Sequence, residues 1–120
     1  RVPHKPSSMA IFMRQKLGYS QKIIEGITLE NYDMVNTNAI HIWTMAQKSI
    51  FQVFKNPVYA EKTSTFQSDI AVLMEAARAK NTADVLKAYM KVTSDCVDCH
   101  QNFRRDQFVR NYPKTAGASK

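Results

Sequence analysis

The stretch Thr82-Ala-Asp-Val-Leu-Lys-Ala-Tyr-Met-Lys-Val-Thr-Ser-Asp-Cys-Val-Asp-Cys-His-Gln-Asn-Phe-Arg-Arg-Asp-Gln-Phe-Val-Arg110 contains neither glycine nor proline. Val85, Leu86, Tyr89, Met90 and Val92 recur in it at helical spacing, which predicts an amphipathic helix from Ala83 to about Arg110. Thr82 is placed to cap it, and Asp84 puts a carboxylate in the first turn, where the helix dipole favours it. Asn111 and Pro113 stop it.

The same pattern extends back along the chain. A first helix is expected from Met9 to Ile27, capped by Ser7 or Ser8, with Phe12, Met13, Leu17, Ile23, Ile24 and Ile27 on its apolar stripe. Gly18 and Gly26 weaken it, and Gly26 lies near its end. Thr28 is placed to cap a second helix from about Leu29 to Phe54, with a stripe of Tyr32, Val35, Ala39, Ile42, Trp43, Ala46, Ile50 and Phe54. Asn56-Pro57 ends it. A third helix runs from Tyr59 or Ser64 to Lys80 with Phe66, Ile70, Leu73, Met74 and Ala77 inward, and Asn81-Thr82 is a short break. Four amphipathic helices joined by short loops predict an all-α, antiparallel up-down-up-down four-helix bundle. The expected layout is an N-terminal arm over 1–7, the helical domain over 8–112 and a polar tail over 113–120.

Composition agrees with that layout. A chain of 120 residues with 3 glycines and 4 prolines lacks the turns of a β sandwich or barrel. No run of about 18 uncharged apolar residues is present, so no membrane span is predicted. The chain begins at Arg1, as a processed product with its signal peptide removed would.

Within the last helix, Cys96-Val97-Asp98-Cys99-His100 reads C-x-x-C-H, the attachment pattern for a c-type haem. Residues at i and i+3 share one helix face, so two thiols there can add to the two vinyl groups of one macrocycle. His100, at i+4 from Cys96, can then reach the iron as proximal ligand. A redox dithiol would want a βαβ setting and a helix N-terminus. A zinc site would want four ligands, and His4 and His41 complete no convincing set.

Four helices with Cys96-x-x-Cys99-His100-x-x-Phe103-Arg104 near the C-terminus resemble the cytochrome c-prime family. The resemblance implies an exported, periplasmic protein of bacterial type carrying one covalent haem c through Cys96 and Cys99, with His100 proximal. It places Phe103 beside the haem and Arg104 near the haem or the proximal imidazole. The first helix would supply the distal side, with Phe12 and Leu17 lining it and Arg14 the candidate partner of a propionate. The sixth iron position is open among Met13, Met9, His4 and no protein ligand at all, the last with an apolar site around Leu17. His41 is expected at the surface or an interface. Dimers through the first two helices are a family habit, and Met34, His41, Met45 and Lys48 form a second face of helix two that could serve.

Two ionised propionates would take the formal charge from +7 to +5. Arg104, Arg105, Arg110, Lys114 and Lys120, opposed by Asp106 alone, form a basic rim suited to an acidic redox partner. No nucleic-acid-binding pattern is present. These features predict a monohaem electron carrier and no enzyme. The alternatives are a binder of a diatomic gas such as NO or CO at a five-coordinate iron, and a haem subunit of a larger redox complex.

Overall fold

The computed structural model describes the backbone of residues 8–52 and 57–111, and side chains within 10–48 and 57–105. Four helices follow one another: α1 (Ser8–Thr28), α2 (Tyr32–Gln52), α3 (Pro57–Arg78) and α4 (Thr82–Asn111). Among the described residues there is no strand. Helices adjacent in sequence pack along one another, whereas α1 and α4 touch only sparsely. The result is the expected four-helix bundle, with a loose seam between its first and last helices.

Two matching turns set its register. Glu30 takes a left-handed φ of 53° while Asn31 N–H donates to Gly26 O and Glu30 N–H to Ile27 O. Lys80, at φ 57°, repeats the arrangement, with Asn81 N–H to Ala76 O and Lys80 N–H to Ala77 O. Both are Schellman endings, which satisfy the last carbonyls of a helix. The asparagine after each then caps the next helix: Asn31 Oδ1 accepts from Met34 N at 3.1 Å, and Asn81 Oδ1 from Asp84 N at 3.0 Å. Tyr32 Oη and the Thr82 hydroxyl hydrogen-bond across the two turns.

These turns correct two expectations. Thr28 caps nothing; its hydroxyl donates back to Ile24 O within α1, and Asn31 takes the role. Thr82 is likewise already helical, and Asn81 is the cap. Separately, α3 begins at Pro57, ahead of the expected start at Tyr59 or Ser64, because at the first helical position the missing N–H of proline costs nothing; residues 53–56, where the second helix is expected to end, lie outside the described residues.

The core is built mainly from α2, α3 and α4. Val35, Ala39, Ile42 and Ala46 meet Phe66, Ile70, Leu73, Ala76 and Ala77, closed by Val85, Ala88 and Val92. Among the described residues of α1, Ile23 alone joins this buried cluster. Leu17 and Ile24, placed on the inward stripe by periodicity, are more than half exposed, and so is Met90, while Leu86 is 49% exposed. Met45, expected on the outer face of helix two, is buried, and His41 is exposed with its ring stacked on Tyr19 at 4.7 Å. Ile50 and Phe54, like the arm over 1–7 and the tail over 113–120, lie outside the residues whose side chains are described.

The two helical glycines differ in their surroundings. A Cβ on Gly26 would meet Val35 Cγ2 at 2.9 Å and Asn31 O at 3.0 Å, so α1 and α2 cross where α1 has no side chain. A Cβ on Gly18 would meet nothing within 4 Å. Gly18→Ala is therefore expected to stabilise the fold by up to ~1 kcal/mol through helix propensity, and Gly26→Ala to destabilise it by ~1 kcal/mol or more through overpacking. Urea unfolding of the two variants checks the opposite signs. In the same assay, Asn81→Ala should cost ~1 kcal/mol by removing the α4 cap.

Candidate cofactor cavity

Away from the two Asn turns, the interior is not filled. A cavity of about 220 Å³ is lined by Met13, Lys16, Leu17 and Ser20 of α1, Ile42 and Ala46 of α2, Lys62, Thr63 and Phe66 of α3, and Val92, Thr93, Asp95, Cys96, Cys99 and His100 of α4. The sequence explains the gap. α2 and α4 offer mostly small or medium side chains there, and α1 adds the polar Lys16 and Ser20 beside Met13 and a Leu17 that is more than half exposed. The cavity is smaller than the roughly 300–1,000 Å³ of a common ligand cleft. α1 and α4, which both line it, touch only sparsely, so this wall is the one least fixed by packing.

Cys96 and Cys99, one turn apart on α4, both line the cavity, as their spacing predicts. They are free thiols, both half-buried, and Cys96 packs against the core cluster. Burial pushes both thiols above their ordinary range, and the Lys16 ammonium opposes this only in part. Raised thiols are the reverse of what a dithiol redox pair requires. His100 lines the same cavity from its exposed rim. Among the described residues no group of three or more His, Cys, Asp or Glu could hold a metal ion on its own.

Of the other anticipated residues, Met13 and Leu17 line the cavity. Phe12, expected on the lining, is half-buried but not part of it, and Arg14 is exposed. Phe103, at 38% exposure, and Arg104 lie outside the lining at the exposed end of α4. His4 and the Met9 side chain lie outside the described residues.

Polar groups around the cavity had no part in the motif reading. Lys62 of α3 donates to Asp98 Oδ2 at 2.6 Å, so the middle of the motif is tied to the neighbouring helix. That hydrogen bond raises the lysine's pKa. Lys91 bridges Asp69 at 3.0 Å and Asp95 at 2.9 Å. Asp95 Oδ2 is buried without a partner, and burial together with nearby Asp69 raises this carboxyl. On α1, Ser20 bonds the Tyr89 hydroxyl at 2.9 Å across the seam. Lys16 Nζ lies 4.5 Å from the centroid of the Phe66 ring, and burial lowers its pKa. Met13, Lys16, Leu17 and Ser20 stand at i, i+3, i+4 and i+7, so helical periodicity alone puts them on one face; charge hid Lys16 from a search for apolar stripes.

Residues 35–104 match the family model described as Cytochrome C'. The match covers more than half of the chain, from the first turn of α2 through Arg104, and includes the motif. Comparison with curated proteins and with solved structures gives no match. A four-helix bundle, two thiols one turn apart facing an unfilled interior, a histidine beside them and this match agree: the chain belongs to the cytochrome c′ family, whose members carry a covalently bound haem c.

Proposed function

We propose that this chain is a monohaem c-type cytochrome that transfers electrons in an exported, periplasmic compartment. The observation that carries the reading is the convergence of Cys96, Cys99 and His100 on one largely apolar cavity of the bundle. Cys96 and Cys99 are the thioether anchors, and His100 is the proximal ligand. A bound haem supplies one-electron chemistry through its iron. The chain's own contribution is to anchor, orient and desolvate. Lys62 holds Asp98, and with it the turn carrying both cysteines. Ile42, Ala46, Phe66 and Val92 exclude water from the inner wall. The sparse α1–α4 contact leaves one edge reachable, as an electron carrier needs.

Arg104 and Arg105 are exposed beyond His100, where they suit an acidic partner protein. In this reading Arg104 acts from the rim, and Phe103 covers the proximal side. Met34 and Lys48, with the His41–Tyr19 stack, remain available to a second copy across α1 and α2. A residue pair arranged for catalytic turnover has no part in this reading, and the protein is taken as a carrier and not an enzyme.

A second reading, binding of a diatomic gas such as NO or CO, rests on Leu17. It lines the α1 wall one turn from Met13 and offers no ligand atom. An apolar residue there keeps the sixth iron position open, whereas Met13 would close it with a thioether. Nothing favours the third, a haem subunit of a larger complex, over these two.

Changing both Cys96 and Cys99 to Ala is expected to make the haem extractable into acid organic solvent, and haem retained by the double variant would contradict the anchoring. Absorption spectra decide the sixth position. A low-spin spectrum that Met13→Ala converts to high spin assigns the thioether. A high-spin ferrous spectrum that shifts with carbon monoxide, identically in Met13→Ala, assigns the open site and the gas reading.

A further inference from the structure

Lys16 is the cavity residue that the motif leaves unexplained. Every other charged side chain on the lining belongs to an ion pair: Lys62 with Asp98, and Asp95 with Lys91. Lys16 has no carboxylate partner among the described residues, and its ammonium lies over the face of Phe66, 4.5 Å from the centroid. A long side chain on an outer helix normally carries its charge out to water. This one instead runs inward, into the space faced by both motif cysteines, and its charge is felt at each thiol. A cation–π contact holds an ammonium only partly against the loss of water, so the site favours an added negative charge.

We infer that Lys16 places a fixed positive charge inside the haem cavity and thereby raises the reduction potential of the iron. The inference rests on the reading that haem occupies this cavity. Reduction takes one electron from the redox partner, makes and breaks no bond, and lowers the net charge of the haem by one. A nearby cation is repelled less by the ferrous group than by the ferric one. In a cavity of low dielectric this preference is far larger than at the surface. Salt screens a buried charge little and an exposed one strongly.

The test is potentiometric titration of the full-length, haem-loaded protein, comparing the parent with Lys16→Leu, Lys16→Arg and, as an exposed control on α1, Lys22→Leu. Leucine fills the same space without charge and offers the iron no ligand atom. The expected result is a downward shift in midpoint potential for Lys16→Leu that persists at high salt. Lys16→Arg should restore the potential. Lys22→Leu should show a smaller shift that salt removes. Spectra recorded alongside must keep the parent's spin state, so that the shift reports charge and not altered ligation. Covalent haem with equal potentials in the parent and Lys16→Leu overturns this inference alone, as does a Lys16→Arg variant that behaves like Lys16→Leu. Absence of covalent haem from the parent protein overturns the functional reading and this inference together.

Discussion

Cys96 and Cys99 can serve one ligand only if α4 keeps both on the same face and the bundle leaves that face unfilled. The first condition is helix geometry. Residues three apart lie nearly in line, and α4 runs unbroken through the motif from Thr82 to Asn111. The second condition runs against the usual drive of an interior toward close packing. The bundle meets it by dividing its length. Toward the two Asn turns Ile23, Val35, Ile70, Leu73 and Val85 are fully buried and pack as a conventional core. Further along, α2 offers Ala46 and α1 offers Met13, Lys16 and Ser20, which do not close the space.

The position of α1 follows from this division. It is held where Gly26 lets it approach Val35 and where Ile23 enters the core. Beyond that, its hold on α4 is light: Ser20 meets Tyr89 across the seam. A group anchored on α4 would therefore have α1 as the adjustable wall, with the choice between Met13 and Leu17 setting what faces the iron. The motif on α4 has a direct tie to α3, where Lys62 and Asp98 meet at 2.6 Å. The asymmetry suits a site in which attachment must be invariant and the distal environment can be tuned.

Much of this was legible in the sequence. Four helices, their order and the sides facing the core follow from periodicity, and the motif cysteines and His100 are found where their spacing puts them. Apolar periodicity misleads on α1 and α4, the neighbouring helices that touch least. Leu17, Ile24, Leu86 and Met90 fit a helical stripe but are about half exposed or more, and hydrophobicity alone does not reveal a missing neighbour. The cap residues are not legible because threonine and asparagine both cap well, and only the left-handed residues Glu30 and Lys80 decide which one follows the turn. Lys16 and Asp95 are not legible in the sequence as cavity residues, because a charged side chain is solvent-facing by default. An unfilled cavity reverses that default, and cavities are a property of packing that no single helix displays.

The central claim is that this interior belongs to a group bonded to α4. Its most direct test is the intact mass of the full-length chain, produced in a host that attaches haem c and measured under denaturing conditions. The expected result is a chain heavier by one haem, with the added mass retained after unfolding. A chain at its bare polypeptide mass, with all haem released on denaturation, would contradict it.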